Sequence, residues 1–333
     1  MRPLYAGLDL GLQFVRTFNG ACLRYSLEDM PVIICVSANP SLDQILVTTG
    51  FALGGKVEPT RWTVSPGGSG VRIAVVARQM GAPTVVTGFR GGEAGAWHAR
   101  LMDSAGLNHD FVQIEGETRG TVLILDETMG LMVELPGPAP AVSPEDTERL
   151  LAKIRDLANK GDWVIVSGLL PANANDDLYA DITHTAHSEG ALVAVDARGP
   201  SLISALHAVP DLWKPNTTEM EEALAAGIDP VTQCEAGTTI LISEGKRGAL
   251  LLQKGRALRF SPPPRRPWNP AGSGNALLAA TVAALQEGTS WEEAVRDGLA
   301  AGVANMRYDD AGYVTREEVI ALAPHVTMTE ERA

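Results

Sequence analysis

A glycine-rich turn leads directly into a helix-forming segment near the C-terminal end of the chain. The turn ends in Gly272, Ser273, Gly274 and Asn275, and residues 276–285 after it are mostly alanine and leucine. Unpaired N–H groups at a helix start and the positive end of its dipole bind anions, and glycines let the backbone approach a phosphate closely. The turn is therefore predicted to form an anion hole.

Asn275 stands at the last position of this loop, where phosphoryl transfer would use a carboxylate to accept a proton from the attacking hydroxyl. A carboxamide is not a base near neutral pH, and general-base catalysis contributes roughly 10²–10⁴-fold. Asp309 and Asp310 are distant candidates for a replacement base. The loop thus predicts phosphate binding, while its catalytic base is in question.

Composition and charge exclude several kinds of protein. The 333 residues are 45% apolar and 20% charged, which is typical of a folded globular chain. A net charge of −13 opposes binding to nucleic acid and to anionic membranes. No apolar run is long enough to span a bilayer. Because Cys22, Cys35 and Cys234 are widely spaced, we expect reduced thiols in a cytoplasmic protein.

Apolar strand patterns alternate with helical patterns from residue 31 onward. Buried strands are predicted at 32–37, 84–88, 162–167, 191–196 and 238–243. Such alternation predicts an α/β fold, a three-layer α/β/α sandwich with a mainly parallel sheet.

Two stretches interrupt the alternation, near 38–66 and 108–137. They are rich in Val, Thr, Ile and Leu but have no helical period, so they are predicted to pair as a small β-sheet lid over the ligand crevice. An open face on such a sheet would allow two copies to pair, which suggests a homodimer.

The chain is interpreted as one α/β domain over 31–325, followed by a tail over 326–333. Residues 1–30 form an N-terminal extension with weak periodicity. Either Met30 is the true start of the chain, or the extension is an arm used in oligomerisation.

Eight short motifs follow one another along the chain. They are Asn39-Pro40-Ser41-Leu42-Asp43, Gly67-Gly68-Ser69-Gly70, Thr118-Arg119, Glu134-Leu135-Pro136-Gly137-Pro138, Ser167-Gly168-Leu169-Leu170-Pro171, Lys214-Pro215-Asn216-Thr217-Thr218-Glu219, Ser243-Glu244-Gly245 and the 269–275 loop. In this order and spacing, over residues 31 to about 322, they resemble the ribokinase-like (PfkB) carbohydrate kinases, nearest the 1-phosphofructokinase and tagatose-6-phosphate kinase branch. The resemblance implies ATP- and Mg²⁺-dependent phosphorylation of a hydroxymethyl group of a sugar phosphate.

The resemblance also implies an acceptor site. Asp43 would accept hydrogen bonds from sugar hydroxyls, and Arg119 would bind the phosphate already on the substrate. The other residues assigned to this site are Gly67, Gly68, Arg72 and Glu134. Two structural alternatives stay open: the Asp43 motif could merely turn the chain, and Arg119 could be an exposed strand residue.

A nucleotide site is implied in the same way. Its residues would be Lys214, Asn216, Glu219, Ser243, Gly245 and Gly248, with Glu219 acting on the metal through bound water. The structural alternatives are a capping box made by Asn216 and Glu219, and hairpin glycines at 245 and 248.

The chain departs from the family pattern at three positions. The family motif Gly-Gly-Lys-Gly has Ser69 in place of its lysine, Arg72 replaces the asparagine that follows, and Asn275 replaces the aspartate of Gly-x-Gly-Asp. Arg72 could restore the lost cation from one turn away. Two hypotheses remain: a kinase, slowed by Asn275, and a pseudokinase that binds sugar phosphate or nucleotide as a sensor or partner subunit without turnover.

Overall fold

A computed structural model describes residues 15–18, 21–24, 30–264 and 268–331, the first two ranges by their backbone alone. In those two ranges, β1 (Val15–Phe18) and β2 (Ala21–Arg24) pair as an antiparallel hairpin. The side chain of Cys22 and the rest of the expected N-terminal extension lie outside the described residues.

The large sheet has ten strands among the described residues. They are β3 (Ile33–Ser37), β6 (Thr84–Gly91), β7 (Val112–Ile114), β10 (Trp163–Ser167), β11 (Leu192–Asp196), β12 (Leu212–Trp213), β13 (Thr239–Ser243), β14 (Ala249–Gln253), β15 (Arg256–Ser261) and β16 (Thr327–Glu331). Their order is β16-β15-β14-β13-β12-β11-β10-β3-β6-β7. In this spatial order, all neighbouring strands from β13 through to β7 pair in parallel. The pairs β13-β14, β14-β15 and β15-β16 are antiparallel.

Ten α-helices cover this sheet. They are α1 (Ser69–Gln79), α2 (Gly92–Ser104), α3 (Pro144–Leu157), α4 (Leu178–Ser188), α5 (Pro200–His207), α6 (Thr217–Ala225), α7 (Pro230–Ala236), α8 (Ser273–Gln286), α9 (Trp291–Asn305) and α10 (Arg316–Leu322), counted in the described part of the chain. One core contains Ile73, Leu278 and Leu299, and the other contains Leu150, Ile182 and Leu202. Helices therefore pack on both faces, and the predicted α/β/α sandwich is confirmed.

A second sheet of four strands stands beside the large one. Its strands are β4 (Ser41–Thr48), β5 (Arg61–Gly67), β8 (Arg119–Asp126) and β9 (Leu131–Pro136), in the order β5-β4-β8-β9. The two central strands, β4 and β8, pair in parallel, and both outer strands are antiparallel to them. The predicted small sheet is present.

Two predicted boundaries need correction. Residues 112–114, expected within the second lid segment, form β7 and extend the large sheet, because they pair in parallel with the end of β6. The expected tail at 326–333 instead contains β16, which pairs with all of β15 except its first residue. Each short strand satisfies its backbone hydrogen bonds by joining a sheet edge, and the sequence pattern does not show which edge a short strand joins.

Helix α8 is the most deeply buried helix near the lid. All of its residues from Ala276 to Ala284 are buried, and it packs between α1 and α9. A helix that is apolar on all sides must lie inside the protein. Its first turn is thereby held in a fixed position. Among the described residues, no helix combines the length and apolar character needed to cross a membrane.

Candidate active site

A cavity of about 1270 Å³ opens at the carboxyl ends of the parallel strands. Its walls include Gly168 after β10, Asp196 at the end of β11, Lys214 after β12 and Ser243 at the end of β13. The start of α8 and the lid sheet close it from two sides. Ligands of open α/β sheets bind at this edge, where the strands end.

The start of α8 has the geometry of an anion hole. Its N-cap, Gly272, has φ 76° and offers no side-chain hydrogen bond to the helix N–H groups. A Cβ on Gly272 would lie 2.9 Å from Gly312 N, so other residues would be both strained and crowded here. Ser273 N donates to Pro270 O at 3.3 Å, so the uncapped N–H groups that can donate to a phosphate are those of Gly274 and Asn275.

Two buried asparagines hold the loop in front of α8. Asn269 Nδ2 donates to Asp309 O at 2.8 Å, and Asn269 Oδ1 accepts from Ala271 N at 3.0 Å. Asn305 Nδ2 donates to Ala271 O at 2.7 Å. Because these amides bond the main chain, the anion hole is pre-organised by the protein itself.

A buried ion pair lies beside the anion hole. Lys214 Nζ is 3.1 Å from Asp196 Oδ1, and the two side chains are only 4% and 11% exposed. A Cβ on Gly274 would lie 3.4 Å from Lys214 Nζ, which places the ammonium next to the first turn of α8. The ammonium of Lys214 and the positive end of the helix dipole therefore lie close together, and the carboxylate of Asp196 offsets part of their positive charge.

Asn275 lies in this first turn and lines the cavity, as predicted, and no carboxylate stands at its position. The carboxylates that do line the cavity, among the described residues, are Glu134, Asp196 and Glu219. Asp309 does not line it, because it binds Arg61 and the indole of Trp268. Asp310 is also absent from the wall and accepts a hydrogen bond from Ser65. Neither takes the place of the missing base.

Helix α6 places Asn216 and Glu219 at the cavity through a reciprocal capping box. Asn216 N donates to Glu219 Oε2 at 2.8 Å, and Glu219 N donates to Asn216 Oδ1 at 2.9 Å. Burial raises the pKa of the Glu219 carboxyl, and the hydrogen bond from Asn216 opposes that rise. The capping alternative is confirmed, and it leaves Glu219 in the cavity wall.

A divalent cation would fit this donor set. The described part of the chain contains no cluster of three or more His, Cys, Asp or Glu residues that could enclose a metal ion. Mg²⁺ in phosphoryl-transfer sites keeps several waters and uses one or two carboxylates with the substrate phosphates. Asp196 and Glu219 match that requirement.

The lid side of the cavity presents two arginines. Arg119, on β8, contacts Asn39 O at 3.4 and 3.5 Å and Thr121 Oγ1 at 3.4 Å. No carboxylate of the described residues lies within 4.0 Å of its guanidinium. Burial lowers the pKa of Arg119, so an anion at this point would be favourable. Arg72, on α1, faces the same cavity.

Asp43 and Gly67 lie behind this wall. Asp43 is 3% exposed, and its two carboxylate oxygens accept from Ser41 Oγ at 2.5 Å and from Arg72 Nη2 at 2.7 Å. A Cβ on Gly67 would lie 2.1 Å from Asp43 Oδ2, so the backbone of Gly67 closes over the carboxylate. These two are the only predicted site residues that the cavity does not reach.

The cavity brings all the other predicted site residues together. They are Gly68, Arg72, Arg119, Glu134, Lys214, Asn216, Glu219, Ser243, Gly245, Gly248, Gly272, Ser273, Gly274 and Asn275. Gly245 belongs to a 3₁₀ turn at Gly245–Arg247, and β14 begins just after Gly248. Their roles towards a ligand stay predictions.

Several residues of the wall were not predicted. Asp196 could have been found, because it is an acidic residue at the end of a buried parallel strand, where ligand-binding groups collect. The face of α9 that supplies Leu299, Gly302 and Val303, and Met306 just after that helix, carry no such signal. Apolar residues at helical spacing indicate a core equally well.

A mainly parallel α/β/α sandwich, a small sheet at the strand ends and an uncapped helix start in one cavity define a ribokinase-like small-molecule kinase. The family model for pfkB family carbohydrate kinases matches residues 33–317. The chain belongs to this family of carbohydrate kinases. Membership implies ATP and a divalent cation.

Relatives place the chain near one branch of the family. It is 30% identical over 306 residues to the 1-phosphofructokinase of Rhodobacter capsulatus, covering 89% of this chain and 97% of the relative. It is 28% identical over 309 residues to the 1-phosphofructokinase of Bacillus subtilis (strain 168), covering 90% and 99%. The structure of phosphofructokinase-2 from Escherichia coli in complex with fructose-6-phosphate has a similar fold, with a TM-score of 0.80, 22% identity and coverage of 89% and 99%.

Proposed function

We propose that the protein transfers the γ-phosphate of ATP to a hydroxymethyl group of a sugar phosphate of the fructose or tagatose type. The observation that carries this proposal is the pairing, in one cavity, of the α8 anion hole with Arg119 on the lid. The anion hole suits the transferring phosphate, and the guanidinium suits a phosphate already on the acceptor. The two 1-phosphofructokinase relatives support a phosphorylated sugar as the acceptor.

Each end of the cavity has a distinct role in this proposal. The N–H groups at the start of α8 and the ammonium of Lys214 stabilise charge on the transferring phosphate. Asp196, and Glu219 through water, would hold Mg²⁺, and Ser243, Gly245 and Gly248 line the nucleotide end. The metal neutralises charge on the phosphates when it is bound.

The attacking hydroxyl must lose its proton, and the position at which the family has a catalytic base is occupied by Asn275. Asn275 cannot accept it, so the reaction relies on positioning and on charge stabilisation. Since general-base catalysis contributes roughly 10²–10⁴-fold, the expected kinase is slow but measurable.

A second candidate function rests on Asn275 itself. If no other group accepts the proton, the protein is a pseudokinase that binds sugar phosphate or nucleotide as a sensor or partner subunit. The cavity suits this function equally well, because binding needs no base.

The test is ADP release from ATP and Mg²⁺ with fructose 6-phosphate, fructose 1-phosphate and tagatose 6-phosphate, for wild type and Asn275→Asp. We expect slow turnover of one sugar phosphate by wild type and a gain of about 10²-fold in Asn275→Asp. Activity in Asn275→Asp alone would instead support the pseudokinase. No ADP release by either protein with any of the three sugar phosphates would contradict the kinase proposal.

We further propose a homodimer through the lid sheet and a cytoplasmic location. Outer strands of the lid expose Trp62, Leu131 and Leu135, an apolar surface that a second copy would cover. Cys35 and Cys234 are free and buried thiols, as expected for a reducing compartment. One structure of phosphofructokinase-2 from Escherichia coli shows a tetrameric inhibited form of that protein. Light scattering that gave a monomer mass at micromolar concentration would remove the dimer.

A further inference from the structure

The side of the cavity nearest the lid presents Arg72 where a carboxylate was expected. Both oxygens of Asp43 are already hydrogen-bonded, one by the hydroxyl of Ser41 and one by the guanidinium of Arg72. The carboxylate is buried and does not reach the cavity, whereas Arg72 and Ser41 do. A ligand in the cavity therefore meets Arg72 rather than Asp43.

This arrangement inverts the hydrogen bonds that the wall can make. An ionised carboxylate only accepts hydrogen bonds, and a guanidinium only donates them. A wall formed by Asp43 would suit sugar hydroxyls as donors. A wall formed by Arg72 needs an acceptor, and the oxygens of a phosphate are the strongest acceptors that a sugar phosphate offers.

The lid holds Arg119 close to the same point. Strands β4 and β8 pair in parallel with Ser41 opposite Arg119, and the hydroxyl of Ser41 binds Asp43, which in turn binds Arg72. Burial is the main cause that lowers the pKa of Arg119, the carboxylates of Asp43 and Glu134 oppose this shift, and the positive charge of Arg72 lowers the pKa further. An anion between them would relieve both the repulsion and the loss of hydration.

The backbone fixes the direction of Arg72. Gly312 lies against the first carbons of its side chain: a Cβ on Gly312 would be 2.7 Å from Arg72 Cβ. Gly312 N donates to Asn305 Oδ1 at 2.6 Å, which holds that contact in place. The far end of the side chain is held by the ion pair with Asp43, so little rotational freedom remains to be lost on binding.

We propose that Arg72 and Arg119 together bind the phosphate already carried by the acceptor, and that Asp43 is a positioning residue for Arg72 rather than a ligand for sugar hydroxyls. This deepens the proposed function and rests on it for the identity of the ligand. Arg72 thereby supplies the positive charge that is lost where Ser69 replaces the lysine of the family motif.

The test is isothermal titration of fructose 6-phosphate and of fructose, with Mg²⁺ and a non-hydrolysable ATP analogue saturating so that the sugar's phosphate cannot enter the anion hole of α8. The proteins are wild type, Arg72→Asn, Arg119→Asn, their double variant and Asp43→Asn. Arg78→Asn is the matched control, because Arg78 lies on the same helix, bonds Ala105 O and does not line the cavity.

The expected result separates the phosphate from the sugar. Arg72→Asn and Arg119→Asn should each weaken fructose 6-phosphate about 10- to 100-fold, the size of a hydrogen bond to a charged group. Fructose binding should stay unchanged in both, and the double variant should show non-additive losses. Asp43→Asn should give a smaller loss, again for the phosphorylated sugar only, and Arg78→Asn should bind both like wild type.

The opposite pattern overturns the proposal. If Asp43 binds hydroxyls, Asp43→Asn will weaken fructose and fructose 6-phosphate by the same factor, and Arg72→Asn will leave or raise the affinity. Should Asp43→Asn fail to fold, Arg72→Lys decides: it keeps the charge but loses the planar fork, so a partial and phosphate-specific loss is required.

The outcomes also distinguish this proposal from the proposed function. If fructose 6-phosphate binds in a way that depends on Arg72 but no ADP is released, the result would contradict the kinase activity and support the two-arginine site. Loss of binding in Arg119→Asn but not in Arg72→Asn would keep the kinase and remove the role of Arg72. No binding of the phosphorylated sugar by wild type would overturn both.

Discussion

The two ends of the cavity are built from different parts of the polypeptide. At the nucleotide end, the main chain at Gly272, the first turn of α8 and the buried pair of Lys214 and Asp196 form the surface. At the lid end, the side chains of Arg72 and Arg119 form it. Main-chain donors depend on the fold, while side chains change with single substitutions. Of the three departures from the family pattern, Arg72 lies at the lid end and Ser69 lines the cavity beside Gly168.

This difference between the two ends of the cavity indicates where amino-acid substitutions are tolerated. An anion hole of N–H groups accepts phosphate whatever sugar is bound, so the nucleotide end can stay constant. In the proposed function, the lid end decides which molecule is phosphorylated, because specificity comes from side chains that pair or fail to pair with the substrate. The predictions below probe one end against the other.

The largest effect is expected for Lys214→Met. The change leaves Asp196 buried without its partner, and breaking a buried ion pair costs about 3–5 kcal/mol of unfolding free energy. ATP should also bind about 10- to 100-fold more weakly. Thermal unfolding and ATP titration measure the two effects. Lys246→Met is the control, because Lys246 lines the same cavity but is exposed; equal losses in both variants would contradict a special role for Lys214.

Acid should lower the unfolding free energy of the protein, because the buried imidazole of His98 contacts Gly67 at the end of lid strand β5. His98 Nε2 lies 3.3 Å from Gly67 O, and burial lowers the pKa of His98 to about 4, with the charge of Arg90 also lowering it and the Gly67 carbonyl opposing. The unfolded state binds the proton more tightly, so the unfolding free energy should fall between pH 6.5 and about 4 by at most ~3 kcal/mol.

Chemical denaturation of wild type and His98→Gln across that pH range measures this effect. The variant retains a donor for Gly67 O but does not titrate, so the difference between the two proteins should change with pH. Parallel pH profiles would contradict the assignment to His98.

A smaller effect is expected for Gly272→Ala at the nucleotide end. The residue has φ 76°, and its new Cβ would lie 2.9 Å from Gly312 N, so we expect a loss of about 1–3 kcal/mol and weaker ATP binding. Gly288→Ala is the matched control, with φ 82° but no atom within 4 Å of a Cβ. ATP affinity should fall in the first variant alone, and an equal fall in both would exclude crowding at the anion hole as the cause.

The smallest effect is expected for Ser69→Lys, which restores the lysine of the family motif. Because Arg72 already places a cation at the lid end, the affinity for fructose 6-phosphate should rise by no more than about threefold, below 1 kcal/mol. Titration in the background of Arg72→Asn should give a larger gain. The reverse order of the two gains would show that Arg72 does not fill this role.

Local signals in the sequence predicted much of the fold. The capping box of Asn216 and Glu219, which the sequence offered as an alternative, is present, and the side chains of Ser143, Ser290 and Thr315 also cap helices. These signals are reliable because they join residues three positions apart. The sequence placed β7 in the wrong sheet and missed β16, because pairing with a distant strand decides both.

The sequence by itself determined the fold class, the order of the motifs and the anion hole, because periodicity, caps and glycine turns act over a few residues. Only the tertiary structure decided that Arg72 covers Asp43 and that Lys214 stands beside Gly274. It also excluded Asp309 and Asp310 from the cavity wall. Arg72 and Asp43 are 29 positions apart, on a helix and a lid strand, so their contact depends on how the two elements pack. Burial then settled which of the two charges a ligand can reach.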